Sequence, residues 1–181
     1  VRDLTEEGIE PHPGPTFITK NLNGVCDINK WEKTLLAINN AKFKDPIKAI
    51  FLQEHNLKNL AAHKSMAEEQ GFYLFAVPLN SRVTKGGTAI LIPKKQLESV
   101  DAKESHHAAL RRVRATTLAL PDGRGIAIES YVFGKLRRLA SVYAPSPWQE
   151  RIAFFLTLPR IVNSNTVLGI DANCVPDPSL D

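Results

Sequence analysis

The sequence predicts an α/β or α+β layered domain built on mixed strands, and three observations carry that reading. Up to Gly71, strand-like and helix-like patterns alternate. Beyond Gly71, short apolar runs follow one another directly, with turn residues between them. The chain has 181 residues, 43% of them hydrophobic, which suffices for one core of single-domain size.

Residues 1–15, "VRDLTEEGIEPHPGP", place three prolines and two glycines within positions 8–15 and suit a linker. "TFITKNLNG" reads as a strand ending in a turn. "DINKWEKTLLAINNAKF" puts Ile28, Trp31, Leu35 and Ile38 on one helical face with Asp27 as cap. "PIKAIFLQE" is the next strand, and "NLKNLAAHKSMAEEQG" a second helix closed by Gly71. Strands are then expected at "FYLFAVP" and "TAILIP", and at two runs within "RVRATTLALPDGRGIAIESYVF" joined through Pro-Asp-Gly. A further strand, "LRRLASVYA", precedes a helix in "SPWQERIAFFLTLPRIV". Ser146 and Gln149 have capping-box spacing there, with Pro147 at the first helical position and Pro159 ending or kinking the helix. "TVLGID" is the closing strand. The chain opens on Val1 and closes in the turn-like "VPDPSLD", so the expectation is a fragment whose fold continues past Asp181.

Net charge is +4 and the pI about 9.1, a mild excess that permits a polyanionic partner. Basic residues cluster at Lys94–Lys95, Arg111–Arg114 and Lys135–Arg138. Charge alone leaves solvated strand edges and nucleic-acid contact equally open. No run of about 18 apolar residues and no apolar signal core occur, so no membrane role is expected. Cys26 and Cys174 lack C-x-x-C spacing and read as free thiols in a reducing compartment. The P-loop, dinucleotide, nucleophile-elbow and H-E-x-x-H patterns are all absent.

The chemistry-bearing residues sit at the ends of apolar strands: Asn21 and Asn23, Gln53 and Glu54, Tyr143, and Asp171 and Asn173. Together they would offer two carboxylates, several amides and a phenol, a donor set for a hard cation such as Mg²⁺ beside a phosphate. Phosphodiester hydrolysis needs activated water, charge compensation and help for the leaving alkoxide. By residue type, Glu54 can hold the metal, Asp171 accept a proton from water, and Asn173 donate to a phosphoryl oxygen. Each motif alone is equally ordinary turn chemistry; the case rests on all four in this order.

That order resembles the endonuclease/exonuclease/phosphatase superfamily, and most of all the endonuclease domain of non-LTR (LINE-type) retrotransposons. "TKNLNG", "FLQEHNL", "KGGTAILIPK", "SVYAPS" and "LGIDANCVPDPSLD" are similar to its successive motifs, from about Phe17 to Asp181. The resemblance implies a four-layer sandwich of two mixed β-sheets flanked by helices, with its C-terminal portion missing. It implies Asn21, Tyr143, Asp171 and Asn173 as catalytic residues, and Glu54 and Asn23 as ligands of Mg²⁺, with Mn²⁺ as an alternative. Lys94, Lys95, Arg112, Arg114 and Ser146 are the expected nucleic-acid contacts. Asn23 stands where many members carry Asp, and Ser146 where Asn is common. The family's later Ser-Asp-His run has no counterpart; His55 and the His106–His107 pair read as surface or loop residues.

The implied activity is nicking of double-stranded DNA to leave a 3′-hydroxyl that primes reverse transcription. The implied partner is a reverse-transcriptase domain in the same polypeptide, and the implied site of action is intracellular, in the nucleus. "GIEPHPGP" resembles a ribosome-skipping peptide, with His12 and Gly8 at altered positions. The domain expected is 16–181, truncated and inactive alone. Two alternatives stay open: a phosphatase of the same fold acting on inositol phosphates or lipid head groups, and an inactive relic or binding module.

Overall fold

A computed structural model describes residues 16–24, 27–41, 45–57, 59–77 and 86–173. The linker reading of 1–15 and both cysteines lie outside the described residues.

β1 (Thr16–Asn21) leads to α1 (Ile28–Asn40), β2 (Ile47–Gln53), α2 (Leu60–Glu69), β3 (Phe72–Ala76) and β4 (Thr88–Pro93). α3 (His106–Ala115), β5 (Leu118–Ala119), β6 (Gly125–Val132), β7 (Lys135–Tyr143), α4 (Trp148–Phe155) and β8 (Thr166–Asp171) follow. The strands form two four-stranded sheets, ordered β1-β2-β4-β3 and β5-β6-β7-β8. The β1–β2 and β7–β8 pairs are parallel and the others antiparallel, so both sheets are mixed.

Period-two alternation sorts the strand residues into layers. In β2, Ala49 and Phe51 join Ile90, Ile92, Ile126, Ile128 and Leu139 between the sheets. Ile50 and Leu52 of the same strand pack outward with Trp31, Leu35 and Leu74 beneath α1 and α2. β2 is therefore apolar throughout because both its faces are buried. On the far side, Ala140 and Val142 of β7 pack with Phe154 of α4 and Ile161. The layers run helix, sheet, sheet, helix. Gly169 lets β8 reach the inner layer, since a Cβ there would collide with the side chain of Phe51.

α1 forms as expected: Asp27 Oδ1 accepts from the amides of Asn29 (2.7 Å) and Lys30 (3.2 Å), and Trp31, Leu35 and Ile38 are buried. Two expectations are corrected. Arg111–Arg114 lie on a helix, α3, rather than a strand; Ser105 Oγ accepts from Ala108 N at 3.2 Å, and Ala109, Leu110 and Val113 are buried. α4 has no capping box: Pro147 is the cap residue, no side chain caps it, and the helix ends at Phe155, before Pro159. No helix among the described residues is long and apolar enough to cross a membrane.

At the end of the sandwich where β6 turns into β7, Phe133 and Gly134 adopt positive φ (54° and 68°). Their amides both donate to the Glu98 carboxylate at 2.9 Å, and Lys48 Nζ lies 3.2 Å from it. Burial raises the Glu98 pKa, but the two amides and Lys48 outweigh it and hold the carboxyl below its ordinary 4.5. A depressed folded-state pKa stabilises above the unfolded value, and that stability disappears as pH falls through the folded one. Glu98→Ala is expected to lower stability by about 2 kcal/mol at pH 7. The deficit should close in acid; an unchanged urea midpoint at pH 7 would remove Glu98 from this role.

Candidate active site

The polar residues predicted at strand ends come from both sheets. β1, β2, β7 and β8 all finish at one end of the sandwich, and β1 packs against β8 across the interior. Asn21 Nδ2 donates to Asp171 Oδ2 at 2.8 Å, joining residues 150 apart in sequence. Asn21 Oδ1 accepts from Asn23 N at 2.8 Å, and Asp171 Oδ1 from Asn173 N at 3.1 Å. Asn173 Nδ2 donates to Ala144 O at 2.6 Å, and Ala144 N donates back to Asp171 O at 2.8 Å.

The Tyr143 hydroxyl stands in the neighbourhood of the Glu54 carboxylate and the Asn173 carboxamide, both of which act on its titration. Burial raises its pKa first; bonding to Glu54 and the charges of Glu54 and Asp171 add to that, against a smaller opposing effect of Asn173. The phenol therefore stays protonated at neutral pH. Thr19, Lys20, Asn21, Gln53, Asp171 and Asn173 line an open cleft of about 290 Å³.

The backbone is bent to reach this arrangement. Asn23 (φ 48°), Glu54 (51°), Asn56 (53°) and Asn173 (47°) all occupy the left-handed region. Asn tolerates that region, but for Glu54 it is strained, and such residues persist only where their surroundings over-determine them. Those surroundings are visible: Gly24 N donates to Glu54 O at 2.8 Å, and Asn56 exchanges bonds with Gly86 at 2.7 and 2.9 Å.

Beneath the cleft, the buried side chains of Gln53 and Ser141 bridge the sheets, and the exposed Thr19 of β1 adds a bond to Gln53. Gln53 Nε2 donates to Ser141 Oγ at 3.1 Å, Thr19 Oγ1 donates to Gln53 Oε1 at 3.3 Å, and Ser141 Oγ donates to Leu52 O at 2.9 Å. Each member is one or two residues from a site residue. The bridge thereby fixes β2 against β7 under Glu54 and Tyr143.

His55 corrects its surface assignment, for it is fully buried. Its Nδ1 accepts from Leu57 N at 2.8 Å, and Nε2 lies 3.2 Å from Thr88 O, so the ring is neutral with its proton on Nε2. The ring rests on Gly87 (φ 88°), where a Cβ would approach it to 2.5 Å. His106 and His107 are exposed at the start of α3, and His106 Nε2 meets the Tyr73 hydroxyl at 2.7 Å.

The basic residues expected at nucleic acid lie elsewhere. β4 runs antiparallel to β2, with Thr88 opposite Gln53, so Lys94 and Lys95 follow Pro93 at the sheet end remote from Asp171. Arg112 is paired with Glu104 at 3.0 Å and stacks over Tyr131, and Arg114 pairs with Glu68 at 3.4 Å. Ser146 is exposed just before α4. Arg124, which sequence reasoning passed over, does reach the site: its guanidinium stands over the Tyr143 ring at 5.6 Å, and its carbonyl accepts from Tyr143 N at 2.9 Å. Nothing local marks Arg124, because only β-sheet pairing brings it beside Tyr143.

Among the described residues, no three His, Cys, Asp or Glu side chains stand together as a metal cluster. The oxygens of Glu54 and Asp171, with amide oxygens beside them, are a donor set that fits Mg²⁺, which takes one or two protein carboxylates and fills its shell with water and phosphate.

No family model and no curated protein matches the chain. Solved structures do. The endonuclease domain of TRAS1, a telomere-specific non-LTR retrotransposon, superposes with a TM-score of 0.51 at 12% identity, covering 88% of this chain and 61% of that one. An AP endonuclease from Archaeoglobus fulgidus gives 0.59 at 15% identity, covering 90% and 58%. A hairpin-deletion mutant of beta toxin from Staphylococcus aureus gives 0.52 at 12%, covering 93% and 70%. The chain thus spans about three fifths of the first two structures. At these identities the likeness is one of architecture, and with the two mixed sheets it shows that this chain has the endonuclease/exonuclease/phosphatase-type fold.

Proposed function

We propose that this chain belongs to a divalent-cation-dependent phosphodiesterase that nicks double-stranded DNA for a non-LTR retrotransposon, leaving a 3′-hydroxyl that primes reverse transcription. The observation that carries the reading is the hydrogen-bonded set Asn21–Asp171–Asn173 lining one cleft, with Tyr143 and Glu54 at neighbouring strand ends. The fold likeness to a retrotransposon endonuclease domain supports DNA as substrate over a small phosphate.

Glu54, with Asn23 near it, would hold Mg²⁺, which when bound supplies charge compensation to the phosphoryl oxygens. Asp171, aimed by the donors Asn21 Nδ2 and Asn173 N, accepts the proton of the attacking water. Asn173 donates to a phosphoryl oxygen with the Nδ2 hydrogen that its bond to Ala144 O leaves over, and Asn21, with a second Nδ2 hydrogen beyond its bond to Asp171, adds a donor beside it. Tyr143 keeps its proton as a donor near the leaving oxygen. The Arg124 guanidinium adds positive charge where the phosphate accumulates negative charge.

The test is conversion of supercoiled plasmid to open circle with Mg²⁺, followed by polymerase extension from the nicks. Expected are nicks that a polymerase extends directly and loss of cutting on chelation. The assay uses this chain and the longest polypeptide its transcript encodes. Turnover of inositol phosphates with no effect on plasmid would overturn the DNA reading, and inactivity on both would leave a relic or binding module.

A further inference from the structure

Three lysines that form no run in the sequence meet beside the candidate site. Lys20 of β1 and Lys30 and Lys33 of α1 line an open groove of about 460 Å³, with Ile18, Ala37 and Ile38 along it. Lys20 also lines the cleft that holds Asn21, Asp171 and Asn173, so the groove continues the cleft around the edge of β1. Among the described residues, no carboxylate lines the groove. Among the described residues, Lys48, Arg112, Arg114 and Arg138 are each paired with a glutamate, whereas none of these three lysines is in an ion pair. Lys30 is steered toward the site: its Nζ donates to Gly24 O at 3.2 Å, and Gly24 N donates to Glu54 O.

We propose that this groove carries the sugar-phosphate backbone of the DNA duplex next to the bond held in the cleft, with Lys20, Lys30 and Lys33 as its phosphate contacts. The proposal rests on the nuclease reading for its choice of polyanion. Three ammonium groups with no anion between them repel one another, and phosphates along a strand relieve that repulsion while releasing counterions. Toward a phosphate lysine acts as a point charge, so these contacts position the duplex without selecting sequence. The apolar lining can take deoxyribose faces, which a site built for a small, fully charged phosphate would not need.

The experiment is fluorescence anisotropy with a labelled duplex oligonucleotide over a salt series, comparing the wild-type chain, a Lys20→Gln/Lys30→Gln/Lys33→Gln variant, the corresponding Arg variant, and Lys94→Gln/Lys95→Gln. Circular dichroism and thermal melting confirm folding, which exposed lysines should not disturb. The triple Gln variant is expected to flatten the slope of log K against log salt by roughly 2 to 3 and to bind about 10²-fold more weakly at 0.1 M salt. The Arg variant should bind as wild type does, and Lys94→Gln/Lys95→Gln should change neither quantity. A triple Gln variant with unchanged slope, or a folded wild-type chain that binds no duplex, overturns the groove. Lysine-dependent binding without any nicking would retain the groove and sink the nuclease reading, so the two fail separately.

Discussion

Asp171→Asn is expected to lower plasmid nicking by roughly 10²- to 10⁴-fold, the range typical of losing a positioned proton acceptor. The substitution keeps size and shape but removes the charge. It also removes one acceptor: Asn21 Nδ2 and Asn173 N each donate to a different Asp171 oxygen, and an amide can accept only one of them through its single oxygen. Glu54→Gln is the informative companion, because a glutamine keeps the size and shape of the side chain while removing its charge. If Glu54 holds the cation, that variant should need far more Mg²⁺ to reach its maximal rate. Asp171→Asn should stay slow at any Mg²⁺ concentration. Nicking within tenfold of wild type in both variants, at saturating Mg²⁺, would sink the assignment.

The second large effect is on stability. The buried His55 ring is held to a pKa of about 4, chiefly by burial, with the bond to Thr88 O opposing and the charge of His63 assisting, against 6.5 for the free side chain. The unfolded chain therefore binds a proton between those values that the folded chain refuses, and stability falls as pH drops through that window. The loss should be about 2 kcal/mol by pH 5 and roughly 3 kcal/mol by pH 4. Geometry explains the refusal: protonation places a hydrogen on Nδ1, facing the Leu57 amide that donates to it. Urea midpoints at pH 7 and pH 5 test this. His55→Asn should be weaker than wild type at pH 7 yet nearly flat between the two. A parallel fall in both proteins would show that other groups cause it.

Much of the fold and most of the candidate site could be read from the chain alone. α1 was legible because its apolar spacing and Asp27 cap are local properties, and β2 because an unbroken apolar strand needs two covered faces. The site residues were legible as polar groups closing apolar strands. α3 was not: the arginines flanking Val113 and the following Thr-Thr suit a strand equally, and burial of Ala109, Leu110 and Val113 decides the matter only in the folded protein. His55 does lie in a loop, but its burial was not legible because the glycine that makes room for it, Gly87, lies on another strand's approach. The surroundings of the basic residues were hidden for a related reason. Within Arg111–Arg114, Arg112 and Arg114 meet glutamates in the fold, while Lys20, Lys30 and Lys33 gather only across a strand and a helix.

The Asn21–Asp171 bond, spanning 150 residues, has a consequence for the making of the protein. Long-range pairing forms late, because the intervening chain must first be ordered. A chain emerging from the ribosome carries Asn21 and Glu54 long before Asp171, and the Asn21–Asp171 pairing is lacking until β8 has slid in beside β7. On the proposed reading, cutting power switches on only as the last described strand docks. Half-made and misfolded copies of a DNA-damaging activity are thereby born unarmed.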